Sequence, residues 1–144
     1  MTTTEIRELT TESEWRDAYP VVSQLREDPS ETGYLERLQE MREEGYHLFA
    51  VVTADEMVAV AGAGVRTNFY NGRHLFVSDL VTREDRRSEG HGAAMMAFLE
   101  EWARERGYES ITLESGLWRE DAHRFYEELD MEKFCYTFRK EFDG

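Results

Sequence analysis

The sequence predicts one α/β domain over residues 1–144, a mixed sheet with helices on its faces. Three observations lead there. Short apolar strand-like runs alternate with amphipathic helical stretches along the whole chain. The pair Asn71-Gly72, between two such runs, signals a hairpin and therefore antiparallel neighbours. The helical stretch Gly92 to Arg106 separates the runs His74–Val81 and Ile111–Glu114, and a helix between adjacent strands implies a right-handed parallel crossover.

Taken in order, Ile6 to Leu9 reads as a first strand and Glu12 to Tyr19 as a helix ended by Pro20. Asp28-Pro29-Ser30-Glu31 reads as a helix start, with Asp28 as cap, Pro29 at the first helical position and Glu31 three residues after the cap. That helix runs to Glu44, with Tyr34, Leu35, Leu38 and Met41 on one face and Gly45 as its stop. Tyr46 to Thr53 and Met57 to Phe69 are strands joined through Ala54-Asp55-Glu56, and His74 to Val81 pairs antiparallel with the second of them. Thr82 to Glu89 is a charged loop. The helix from Gly92 carries Met95, Met96, Leu99, Trp102 and Ala103 as its buried stripe and stops at Gly107. A short strand (Ile111–Glu114), a helix (Glu120–Leu129) and a final strand (Lys133–Phe142) complete the chain. Cys135 falls in this last strand among Phe134, Tyr136 and Phe138, which reads as core.

Composition narrows the function classes. With 144 residues, 40% of them apolar, the chain can bury a real core. No basic segment followed by an apolar stretch opens the sequence, and no apolar run approaches the roughly 18 residues of a membrane span. One cysteine allows no internal disulfide and suits a reducing compartment, so the expectation is a cytoplasmic protein. The charge is −14, from 17 basic and 31 acidic residues. Such a surface repels nucleic acid and anionic membrane, so neither is an expected partner. His47, His74, His91 and His123 lack metal-ligand spacing, and no metal site is expected.

The chemistry concentrates at Arg87-Ser88-Glu89-Gly90-His91-Gly92-Ala93, a glycine-containing turn opening the third helix. First-turn N–H groups of a helix have no intrahelical partner, and the helix dipole adds partial positive charge. Glycine removes the Cβ that would hold a ligand away. The combination suits a phosphate or pyrophosphate.

In order and spacing, Asp79-Leu80-Val81, Arg87-Ser88-Glu89-Gly90-His91-Gly92, Leu113-Glu114 and Ala122-His123-Arg124-Phe125-Tyr126-Glu127 together resemble the GNAT superfamily of acyl-CoA-dependent N-acetyltransferases. The resemblance implies a central twisted, mostly antiparallel sheet with a splayed parallel pair in its middle and helices on both faces. It implies acetyl-CoA as co-substrate. The pantetheine would bond like an added strand to Leu80, Val81 and Thr82, and the pyrophosphate would rest on the N–H groups from Ser88 to Ala93. Three departures stand out. Glu89 replaces a frequent basic residue or Gln, Arg119 replaces a frequent Asn, and Asp130-Met131 replaces the usual Gly-Phe. Glu89 and Arg119 bear on cofactor contact.

Acetylating an amine requires its free lone pair. At neutral pH, stripping the proton from a lysine-like amine costs about 4–5 kcal/mol, a task for a carboxylate. Glu114, ending a strand at the open side of the splay, is the first candidate base; Asp79 on the neighbouring strand is the second. Tyr126 matches the family tyrosine that protonates the departing thiolate, and the Val81 N–H would steady the developing oxyanion.

The leading expectation is an N-acetyltransferase acting on a primary amine of a small molecule or peptide. The alternative is a catalytically silent acyl-CoA-binding sensor or assembly module of the same fold, toward which Glu89 and Arg119 lean. A Rossmann-type domain would need an early G-x-G-x-x-G, which is lacking. Nothing in the sequence names the acceptor or decides between monomer and homodimer. The acidity predicts a protein built for high internal salt, the alternative being an acidic protein of an ordinary cell. Screening by salt relieves self-repulsion. Stability against urea should therefore climb between dilute and molar KCl, and equal stability in both contradicts the high-salt reading.

Overall fold

The computed structural model describes residues 4–24 and 30–143. Two compact units make up the chain, Met1–Leu113 and Glu114–Gly144. The first contains β1 (Thr4–Leu9), α1 (Glu12–Val22), α2 (Glu31–Glu43), β2 (Tyr46–Thr53), β3 (Glu56–Asn68), β4 (Gly72–Thr82), a 3-10 turn (Glu84–Arg86), α3 (His91–Glu105) and β5 (Ser110–Leu113). The second contains α4 (Glu120–Glu128). The strands form one sheet in the order β1-β2-β3-β4-β5, antiparallel except for the parallel pair β4–β5. The mixed, mostly antiparallel sheet with one parallel pair is as expected; among the described residues that pair, β4–β5, ends the strand order.

Local chemistry explains where the elements begin and end. Thr11 caps α1 through a reciprocal box with Glu14, each side chain taking the other's backbone N–H. The helix passes Pro20 and ends at Val22, two residues beyond the expected stop. Proline removes one bond to the carbonyl four residues back, but Ser23 N–H already closes onto Tyr19 O at 2.8 Å and Val21 is buried, which holds the last turn. Ser30 caps α2 through Gly33 N–H; the Asp28 cap and Pro29 lie outside the described residues.

The β3–β4 connection is not a two-residue turn. Asn68 pairs with Gly72 across Phe69-Tyr70-Asn71, and Gly72 takes φ +62°. A three-residue loop closed by a left-handed glycine is the next favoured hairpin. The Asn68 side chain accepts from the N–H groups of Tyr70 and Asn71.

The sheet has an apolar layer on each face. On one, Trp15, Ala18 and Val21 of α1 and Tyr34 and Leu38 of α2 pack on Leu9, Tyr46, Leu48, Ala50, Val52, Val60 and Val81. Trp15 donates its indole N–H to Leu9 O, and Tyr34 donates its hydroxyl to Trp15 O, each at 2.9 Å, so both helices are tied down. On the other face Phe49 meets Phe98 and Trp102 of α3 edge-on, with ring centroids 5.6 and 5.5 Å apart. The expected α3 stripe, Met95, Met96, Leu99, Trp102 and Ala103, is buried throughout.

The segment Lys133–Phe142, expected as a strand, has no regular structure, and Cys135 is exposed rather than core. Alternating aromatics supply one face of a strand, but a strand also needs a neighbour for its N–H and C=O groups. The unit that holds this segment has no other strand among its described residues. Phe49→Ala, at 0% exposure, should destabilise the protein by about 3–5 kcal/mol. Phe138→Ser, at 94% exposure, should stay within about 0.5 kcal/mol of the parent. Urea melts of the two variants check this, and a large loss at Phe138 would show the tail to be buried.

Candidate active site

Strand β4 is the spine of the site. Up to Val77 its register with β3 is regular, but Ala63 faces Val77 and Gly62 faces Asp79, so Ser78 is an extra residue. Side chains alternate faces along a strand, and one inserted residue exchanges the faces of every residue after it. Before the bulge Leu75 and Val77 share the α3 face. After it Asp79 and Val81 lie on the opposite face, with Val60 and the α1–α2 core, while Leu80 takes the α3 side. Asp79, half-buried, accepts a hydrogen bond from the Tyr46 hydroxyl at 2.9 Å.

The bulge also marks where β4 loses a neighbour. Pairing with β5 covers His74 to Val77 against Ser110 to Leu113 and stops there. From Asp79 to Thr82 the strand pairs with β3 on one side only among the described strands. One edge of Leu80, Val81 and Thr82 is thus not taken up by a strand. Gln24, just past α1, fastens the strand's end: its side-chain amide donates to Thr82 O at 3.1 Å and accepts from Glu84 N–H at 3.2 Å.

The chain then crosses to α3 through a loop laced by ion pairs. Glu56, at the β2–β3 turn, pairs with Arg83 and with Arg86, the latter at 3.4 Å. Arg86 also reaches Glu89 at 3.1 Å, and the His91 ring nitrogen lies 3.1 Å from the same carboxylate. The bonds from His91 and Arg86 hold the Glu89 carboxyl below its ordinary pKa. Glu89 is therefore not a bare charge at the helix mouth. Ser88 sits at φ +66°, and Gly90 caps α3 at φ +85° with no side-chain cap bond. Ala94 N–H bonds Gly90 O, so the helix ladder begins only there. A Cβ placed on Gly90 would meet nothing within 4 Å, leaving space before the helix mouth. Arg87 and Ser88 are exposed, and His91, Gly92 and Ala93 are half-buried.

In the second unit, Glu114 is exposed immediately after Leu113, the last residue of β5, rather than within the strand. Arg119 caps α4 without a side-chain bond. Tyr126 is half-buried on α4 with its ring 5.2 Å from Phe125. Burial raises its phenol pKa, and the Arg119 charge opposes this to a lesser degree. His123 bonds Gly116 O through a ring nitrogen at 2.8 Å.

Asp79 to Thr82 and Arg87 to Ala93 therefore sit on consecutive elements of the first unit, while Glu114, Arg119 and Tyr126 belong to the second. Sequence reading passes over two residues. Gln24 leaves no local signal. Tyr46 does: the isolated Gly62 inside a strand marks a close approach, and the Tyr46 ring is what approaches.

Among the described residues no three His, Cys, Asp or Glu side chains stand together to hold a metal ion, and no helix is long and apolar enough to cross a membrane. The model of the acetyltransferase (GNAT) family matches residues 8–131. The uncharacterized N-acetyltransferase YhdJ of Bacillus subtilis (strain 168) is 38% identical over 137 residues, 94% of this chain and 96% of its own. Among solved structures, aminoglycoside N-acetyltransferase AAC(6')-Iy in complex with CoA superposes with a TM-score of 0.84 at 15% identity, covering 97% of this chain and 96% of its own. Ribosomal-protein-alanine N-acetyltransferase from Brucella melitensis biovar Abortus 2308 does so with a TM-score of 0.83 at 17% identity, covering 98% of this chain and 100% of its own. At such identities the structures establish the fold, whereas the family match and the YhdJ relative reach further. Together with the bulged strand and the glycine-capped helix, they show that this chain belongs to the GNAT family of acetyltransferases.

Proposed function

We propose that the protein transfers the acetyl group of acetyl-CoA to a primary amine of a small molecule or peptide by direct transfer. The observation that carries this reading is the open edge of β4 after Val77, followed by the α3 N-terminus that no side chain caps. An unpaired strand edge accepts an extended amide-bearing arm by adding it as a strand. Uncapped helical N–H groups favour a diphosphate, each charge-assisted bond contributing on the order of 1.5–3 kcal/mol. That a Cβ on Gly90 would meet nothing within 4 Å supports room for that group. The solved neighbour AAC(6')-Iy in complex with CoA supports the same donor.

In this reading acetyl-CoA supplies the acyl group. Leu80, Val81 and Thr82 hold its pantetheine through their backbone, and the segment Ser88 to Ala93, with Arg87 beside it, holds the pyrophosphate. A β4 backbone N–H on the open edge, that of Leu80 or Thr82, donates to the carbonyl oxygen as negative charge builds there. Val81 N–H does not, since the ladder that bonds Arg83 N–H to Val58 O turns it toward β3. A carboxylate, Glu114 or Asp79, takes the proton that the amine must shed. Tyr126 gives a proton to the departing thiolate, a role that suits a phenol kept protonated by burial. By the family resemblance alone, Arg119 at the start of α4 is a further candidate for cofactor contact.

A thiol-release assay with a panel of amines tests the proposal, since a silent acyl-CoA-binding module would bind the coenzyme and release no thiol. Tyr126→Phe should lower kcat by about 10²-fold while the Kd for acetyl-CoA stays unchanged; parental turnover by this variant removes Tyr126 as the acid. Gly90→Val should instead raise that Kd by about tenfold or more, because a branched residue at φ +85° is strained and its methyls enter the phosphate space. Unchanged affinity in the Val variant would take the helix mouth out of coenzyme binding.

A further inference from the structure

Strand β4 ends at Thr82 and α3 begins at His91, and no residue between them is buried. Packing therefore does not set the path of this stretch; polar ties do. Glu56 holds the side chains of Arg83 and Arg86. Gln24 holds the backbone itself.

The position of Gln24 is set by the core. It stands three residues past Val21, which is 3% exposed and belongs to the same apolar cluster as Val81. The Gln24 backbone N–H bonds Val21 O at 3.2 Å. From there its side-chain amide straddles Arg83, donating to Thr82 O at 3.1 Å and accepting from Glu84 N–H at 3.2 Å. A primary amide carries a donor and an acceptor side by side, so one group closes both bonds. Arg83 N–H bonds Val58 O at 2.8 Å, and successive residues of a strand turn their amides to opposite sides. Thr82 O therefore faces away from β3, along the edge that no described strand takes up, and Gln24 meets it there.

For stability the clasp is worth little, since both bonds are neutral and Gln24 is exposed. Its value is geometric. Pinning the residues on either side of Arg83 fixes the angle at which the chain leaves β4 for α3. A ligand that must touch both elements gains affinity from a fixed spacing, because its second contact forms within a complex already made. A loosened spacing weakens the joined ligand and leaves each of its parts binding as before.

Resting on the acetyl-CoA reading above, we infer that Gln24 is a positioning residue that holds the β4 edge and the α3 mouth at the spacing one coenzyme spans. It acts through the backbone of Thr82 and Glu84, not on the reacting atoms.

NMR titrations with acetyl-CoA and its two parts test this: S-acetylpantetheine lacks the diphosphate, and ADP lacks the pantetheine arm. Gln24→Ala removes both bonds at an exposed position, so the melting temperature should stay within about 2 °C of the parent. Its Kd for acetyl-CoA should rise about tenfold, while those for S-acetylpantetheine and for ADP stay within about twofold. Gln24→Glu keeps the length and the acceptor but sets a carboxylate oxygen against Thr82 O, and it should lose at least as much. A Gln24→Ala variant that binds acetyl-CoA as the parent does overturns the inference. So does a part that weakens as much as the whole coenzyme, because Gln24 would then shape one subsite and not the spacing between two. Parental affinity in Gln24→Glu overturns it as well, since a carboxylate has no proton to give Thr82 O. A parent that shows no saturable binding of acetyl-CoA overturns the functional reading itself, and this inference falls with it.

Discussion

One inserted residue in β4 organises the functional half of this fold. Ser78 has no counterpart on β3, and from that point the strand presents its alternate side chains to the opposite faces of the sheet. Val77 looks toward α3, and Asp79, two residues on, looks toward α1 and α2. The same position is where β5 stops pairing. A regular ladder would have continued to a paired edge and sent Asp79 into the α3 core. The bulge instead turns Asp79 to the other face and leaves an unshared strand edge within the same few residues, and the proposed acyl transfer relies on that edge.

Beyond β4 the chain path depends on electrostatics more than on packing. The crossing to α3 has little apolar burial, and its path is laced by ion pairs from Arg83 through Glu56 and Arg86 to Glu89, whose carboxylate also lies 3.1 Å from a His91 ring nitrogen. Exposed pairs of this kind contribute little one at a time, but a connected set fixes a backbone path. Two left-handed residues, Ser88 and Gly90, complete that path and leave the first N–H groups of α3 pointing outward without a cap. Glu89, which by charge alone would oppose an anion at the helix mouth, is committed to Arg86 and His91.

Much of this architecture is readable from residue order. Every strand and helix of the first unit is expected within a few residues, because period-two and helical apolar patterns, Asn71-Gly72 and the stops at Gly45 and Gly107 are local signals. The buried stripe of α3 is legible in full. The errors have physical causes. Pro20 reads as a helix end, yet burial of Val21 outweighs one lost hydrogen bond. The turn before Gly72 reads one residue short, since the same dipeptide serves both two- and three-residue loops. Lys133–Phe142 has the alternation of a strand but no strand neighbour in its unit, and pattern alone says nothing of pairing. At the site, type and spacing single out the glycine turn and Asp79. They do not single out Tyr46 and Gln24, because the importance of these two lies in what they reach across the sheet and at its end.

The chain belongs to the GNAT family, and within its first unit β4 and the mouth of α3 follow one another. Site-resolved amide hydrogen exchange, with and without saturating acetyl-CoA, reads the central claim directly. Slower exchange is expected at the amides of β4 from Leu80 to Thr82 that do not pair with β3, and from Gly90 to Ala93, with the buried amides of Phe49 and Val51 unaffected. Exchange unchanged at both segments under saturating coenzyme would contradict the account.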